Sequence, residues 1–194
     1  MNPISDRYRR RAEAFERKIA AVRPGQWSDQ SPCEAWTARD VVAHIVVMHA
    51  AVLRPVQRNL SPAPSAGDDP LAAFRAARAD VQQVLDSPDL AATECDSPAG
   101  WMSVEQQIDE VLSDDLVLHG WDLARATGQD ETMDPDDVAR LWATVSATPP
   151  ELMQKYRTPG AFGPGIEVYG PEVPVPDDAP LQDRLLGLIG RRPR

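Results

Sequence analysis

Apolar residues recur every three or four positions in four stretches of the chain, the period of a helix with one buried face. In Ile4–Val22 the stripe is Tyr8, Ala12, Phe15, Ile19 and Val22, and Pro24-Gly25 ends it. The second stretch is Ala38–Arg54. Thr37 is placed as its N-cap, Asp40 at the third helical position gives a variant of the capping box, and Pro55 marks its end. The third, Pro70–Leu85, carries Leu71, Phe74, Val81 and Leu85. The fourth, Val104–Thr127, carries Val104, Ile108, Val111, Leu112, Leu116 and Leu123. Ser103 caps it, Gln106 completes the box, and Gly128 stops it. A shorter fifth helix is predicted over Pro135–Thr148, opened by the proline after Asp134. From Pro149 onward Pro, Gly and Tyr dominate and the helical period fades. This part reads as a tail folded over the domain, with one short hairpin around Phe162–Val168. The expectation is an all-α chain: an antiparallel four-helix bundle with an extra short helix and an irregular Pro/Gly-rich C-terminal tail. It is expected to be a single domain over 1–194, with the bundle in 1–148 and the tail in 149–194.

Composition narrows the function classes. The 194 residues are 42% hydrophobic, enough for one sizeable core. Twenty Lys+Arg against 30 Asp+Glu leave a net charge of −10, which argues against nucleic acid or anionic lipid as a partner held by bulk charge. The most apolar run, Val41–Leu53, is 13 residues long and holds two histidines, too short and too polar to span a bilayer. Met1–Arg11 is polar and lacks the apolar core of a signal peptide. With only Cys33 and Cys95 as cysteines, a cytoplasmic location is expected.

The candidate chemistry lies on the second and fourth helices. Asp115 and His119 are four residues apart, in or beside the apolar stripe, and differ by about 40° around the axis. His44 lies between Val41, Ile45 and Met48. An antiparallel bundle can bring His44 opposite that pair. Two imidazole nitrogens and one carboxylate oxygen, with water at the remaining positions, make an open site for zinc, nickel or another divalent ion. The plainer reading is a pair of satisfied core histidines, with Asp115 bonded to His119 on its own helix. His49 sits about 140° round from His44 and is expected to be a surface or packing residue. Asp114 faces away from His119 by the same arithmetic. Asp40 suits capping better than pairing with His44. Asp122 is either an acceptor that orients an imidazole or a helix-surface charge.

Trp36, Trp101 and Trp121 flank these segments, as core lids or as walls of an apolar pocket; the lid is the favoured reading. Cys33 is either a reactive thiol at the site mouth or a small residue buried in a turn. Arg9-Arg10-Arg11 and Arg191-Arg192-Pro193-Arg194 read as solvated faces. No P-loop, dinucleotide-binding glycine pattern or Ser-His-Asp motif stands out.

Two segments carry a resemblance. SPCEAWTARDVVAHIV (Ser31–Val46) and DLVLHGWDLARATGQD (Asp115–Asp130) resemble the signature segments of the mycothiol-dependent maleylpyruvate isomerase N-terminal family, within the DinB-like metal-binding bundle superfamily. VPVPDDAPLQDRLLGLIGRRP (Val173–Pro193) is similar to the ending of a stand-alone actinobacterial branch. The resemblance implies a DinB-like four-helix bundle with a divalent metal, usually zinc, at one end of its core. It implies His44, Asp115 and His119 as the metal ligands. The acidic ligand of the isomerase is Glu, where this chain has Asp115. Mycothiol, or another low-molecular-weight thiol, is the implied cosubstrate, with a small electrophile as its partner. The function implied is a metal-dependent thiol S-transferase or isomerase. The alternative is a non-catalytic bundle that binds a metal or small ligand. The isomerase carries a further C-terminal α/β domain, whereas about 45 residues follow the last bundle helix here, too few for an equivalent. Homodimers are common among similar bundles.

Overall fold

A computed structural model describes residues 2–97, 100–162 and 168–194. The hairpin expected around Phe162–Val168 falls largely on 163–167, outside the described residues. The chain divides into two compact units, Met1–Glu131 and Thr132–Arg194.

Local signals open each long helix of the first unit. Helix α1 is Pro3–Ala20, and the Asn2 side chain accepts from the Ile4 amide at 2.9 Å. Helix α2 is Ala38–Leu53. Its box is reciprocal: the Asp40 carboxylate accepts from the Thr37 amide at 2.9 Å, and Thr37 Oγ1 accepts from the Asp40 amide at 3.3 Å. The Thr37 hydroxyl also donates to Asp40 Oδ2 at 2.6 Å, and this bond, with the one from the Thr37 amide, holds the Asp40 carboxyl below its usual range. Helix α3 is Pro70–Leu85, capped by Asp69. A short α4, Pro88–Ala91, leads into an antiparallel hairpin of β1 (Glu94–Ser97) and β2 (Gly100–Ser103). The sequence reading had no place for this hairpin, although Ser-Pro-Ala-Gly is a turn signal.

The fourth long helix is not regular. It runs as α5 (Val104–Gln107), a π-helical turn over Ile108–Leu112, and α6 (Ser113–Thr127). Arg7 of α1 grips Asp109 with two bonds, at 2.7 and 2.6 Å, and Arg11 binds Asp114 at 2.7 Å. The arginines are four residues apart and the aspartates five. In an unbroken α-helix a five-residue spacing points about 140° away; the wider π turn absorbs the extra residue, so both carboxylates face α1. Arg11 is buried, so the three-arginine run is not wholly a solvated face; Arg9 is, pairing with Asp6 at 2.8 Å. Gly128 ends α6 at φ +67°, a left-handed turn that glycine adopts without strain.

Helices α1 and α2 each pack against both α3 and α6, closing a ring of four around an apolar core. Phe15 and Phe74 meet edge to face at 5.1 Å. His49 is fully buried as a packing residue. Its Nε2 bonds Tyr8 Oη at 2.9 Å and its Nδ1 the Ile45 carbonyl at 2.7 Å. Burial pushes its pKa down to about 4.

The second unit holds α7 (Pro135–Ser146), α8 (Pro150–Tyr156) and α9 (Leu181–Leu188). The predicted fifth helix therefore falls with the C-terminal segment, and the expected irregular tail contains two helices. Helix α7 packs on α9, with Arg184 over the Trp142 ring at 4.7 Å. Extended chain lies against α9: the Val173 amide donates to the Gly187 carbonyl at 2.9 Å. A Cβ on Gly187 would lie 2.6 Å from the Val173 carbonyl oxygen, so glycine is required there. Arg191 is buried, unlike the solvated run expected at this end, and its amide closes α9 onto the Leu186 carbonyl at 2.8 Å.

Candidate metal centre

The capping box fixes where α2 begins, and with it the direction of His44 two turns later. Gly128 and the π turn bound α6, which carries Asp115, His119 and Asp122. The donor atoms of His44, Asp115 and His119 all lie within 4.8 Å of one another. His44 Nε2 is 3.7 Å from Asp115 Oδ2, and the two imidazole rings meet edge to face at 4.9 Å. The His44 and Asp115 side chains are each 27% exposed, whereas His119 is 10% exposed, so the cluster opens to solvent on one side.

His119 Nδ1 lies 2.8 Å from Asp122 Oδ2, and Asp122 is fully buried. When Asp122 accepts at this contact, the ring proton is on Nδ1 and the Nε2 lone pair is the donor. Asp122 is thus the orienting acceptor rather than a surface charge. That donor set fits a divalent cation: one neutral imidazole of fixed tautomer, a second imidazole, and one carboxylate. Trp36 roofs the cluster, its ring 4.6 Å from His44 and 5.6 Å from His119.

The segment that holds these residues has relatives. A family model described as the mycothiol maleylpyruvate isomerase N-terminal domain matches residues 8–124. The chain belongs to this family. This family member is also 30% identical, over 195 residues and the full length of both chains, to uncharacterized proteins from two strains of Mycobacterium tuberculosis. Its fold is similar to crystal structures of the mycothiol-dependent maleylpyruvate isomerase and of a histidine-to-alanine mutant of it. Both have a TM-score of 0.57, at 15% and 16% identity, covering 82% of this chain and 75% of theirs. At that identity the likeness is one of fold. It covers more of this chain than Met1–Glu131 alone, and the residues after the bundle form a compact unit of their own from Thr132.

Other predicted residues of this isomerase-family chain take different places. Asp114 is turned to Arg11, and Asp40 serves its cap. Among the described residues, Trp36 is the tryptophan whose ring meets the histidines. Trp121 is core, 1% exposed beneath Arg125, and Trp101 on β2 is 75% exposed. Cys33 is half-buried in the loop before α2, with Sγ 3.6 Å from Asp122 Oδ2. Gln30 was missed by sequence reasoning. Its side-chain nitrogen sits 2.9–3.0 Å from the carbonyls of Ser31, Cys33, Glu34 and Trp36 and gathers that loop around one amide. No spacing rule marks such a residue. Among the described residues no helix is long and apolar enough to cross a membrane.

Proposed function

We propose that this chain binds a divalent metal, zinc in the first instance, through His44, Asp115 and His119. We further propose that it uses mycothiol, or a thiol like it, in S-transfer to or isomerisation of a small electrophile. The observations that support the reading are the His119–Asp122 contact, made by Nδ1, and the grouping of one donor atom each from His44, Asp115 and His119 within 4.8 Å. When bound, the metal supplies a Lewis acid that favours the thiolate form of a thiol. The protein's own residues supply the rest. Asp122 holds the proton on His119 Nδ1 and keeps the ring from turning. Asp115 brings one negative charge to the cluster, offsetting the dication. Trp36 shields the imidazoles on one side and offers an apolar surface to a substrate, while the exposed edges of His44 and Asp115 leave a way in from solvent.

The test is thiol consumption, or cis–trans conversion of maleylpyruvate, by metal-loaded protein supplied with mycothiol. A panel of small electrophiles extends the search beyond maleylpyruvate. Turnover that disappears in His44→Ala supports the reading. Metal-loaded protein that turns over nothing in the panel supports the non-catalytic binding protein instead.

A further inference from the structure

We infer that Cys33 is a positioning residue for His119, acting through Asp122; the inference rests on the metal reading above. Asp122 Oδ2 meets two donors, His119 Nδ1 at 2.8 Å and Cys33 Sγ at 3.6 Å. The carboxylate has no solvent exposure, and the Cys33 thiol donates its hydrogen to Oδ2. The two donors come from different elements, α6 and the loop before α2. A carboxylate held between them cannot swing towards one without loosening the other. The thiol therefore sets the plane of Asp122, and Asp122 sets the ring of His119.

The same loop places the roof of the site. The Cys33 carbonyl accepts from the Trp36 amide at 2.9 Å and from Gln30 Nε2 at 3.0 Å. The Trp36 ring in turn lies over both imidazoles. The Cys33–Asp122 contact thus ties the loop that carries the indole to the helix that carries His119. This role differs from a reactive thiol at the site mouth. It also differs from direct ligation, which the 4.8 Å grouping of Cys33, Asp122 and His119 donor atoms makes the principal rival.

The experiment uses the full chain and two readouts. Long-range nitrogen–proton NMR on metal-free protein reports the neutral-ring tautomer of His119, and competition with a chromogenic chelator reports zinc affinity. Wild type is expected to hold the Nδ1–H tautomer. Asp122→Asn, whose amide can donate to Nδ1, is expected to move the proton to Nε2 and weaken zinc by about 10–100-fold. Cys33→Val is expected to mix the tautomers and weaken zinc by about 10-fold, near the lower end of that range. Cys33→Ser, which keeps a donor of similar size, is expected to restore both towards wild type; Cys33→Ala replaces the valine variant if that one does not fold. Wild-type tautomer and zinc affinity in Cys33→Val would overturn the inference. So would a thiolate-to-cobalt charge-transfer band in cobalt-loaded wild type that vanishes in Cys33→Val, because Cys33 would then be a ligand. A wild type that binds no zinc defeats the metal reading instead, while the tautomer comparison still decides the positioning role.

Discussion

His119 can serve as a donor because its other nitrogen is occupied by Asp122 at 2.8 Å, and Asp115 can serve because it is turned to His44 at 3.7 Å. Removing the charge from Asp115 should therefore cost more zinc affinity than disturbing an outer partner. Asp115→Asn is expected to lose more than about 100-fold in a chelator competition, whereas Asp115→Glu, with the same charge on a longer arm, should stay closer to wild type. His49 makes a separate prediction about pH. Its folded pKa of about 4 lies below the ordinary 6.5, so the unfolded chain takes up the proton first as pH falls. The stability it contributes is whole above 6.5 and is lost as pH falls from there towards about 4. Melting curves across that window should show a steeper acid loss in wild type than in His49→Gln, which does not titrate. Equal slopes would contradict the buried neutral histidine. The spacing of His44, Asp115 and His119 was legible because it follows the helical period. Cys33 and Trp36 could not be placed in advance, because Gln30 shapes their loop through backbone carbonyls that no side-chain pattern encodes.

The four long helices were legible for the same reason: each has a stripe at helical spacing and caps that obey simple hydrogen-bond rules. The π turn at Ile108–Leu112 was not, because a projection at 100° per residue assumes it away. Its trace in the sequence is the mismatch of Arg7/Arg11 with Asp109/Asp114, visible only once α1 and α6 are known to pack together. Helices α8 and α9 were hidden by short length and flanking prolines, and the β1–β2 hairpin by its four-residue strands. The Arg11–Asp114 pair ties α6 to α1 just before Asp115, and the Arg11 side chain is 1% exposed. Asp114→Ala leaves that cation without its 2.7 Å partner and is expected to destabilise the fold by about 3 kcal/mol in urea unfolding. Asp6→Ala, which removes one partner of the exposed Arg9, should stay within about 1 kcal/mol. A small effect of Asp114→Ala would remove this tie from the account.

At the scale of the molecule, the bundle core is built from apolar side chains: Tyr8, Phe15, Phe74 and the apolar stripes of α2 and α6 are buried, whereas the His44 and Asp115 side chains are each 27% exposed. A metal held at a solvent-facing edge should therefore stabilise the fold by mass action rather than create it. Chelation is expected to leave the helical circular dichroism intact. Zinc at about 1,000 times its Kd should add roughly 4 kcal/mol to stability, read as a higher Tm. Unfolding on chelation would mark the metal as structural. The family and the fold are those of the mycothiol maleylpyruvate isomerase N-terminal domain. The most direct test of the central claim is the metal content of the purified full-length protein beside a His44→Ala/His119→Ala double variant. About one divalent ion per chain in the wild type, and none in the variant, is the result predicted for a single three-ligand site. No bound metal in the wild type, even after loading with zinc or nickel, would contradict it.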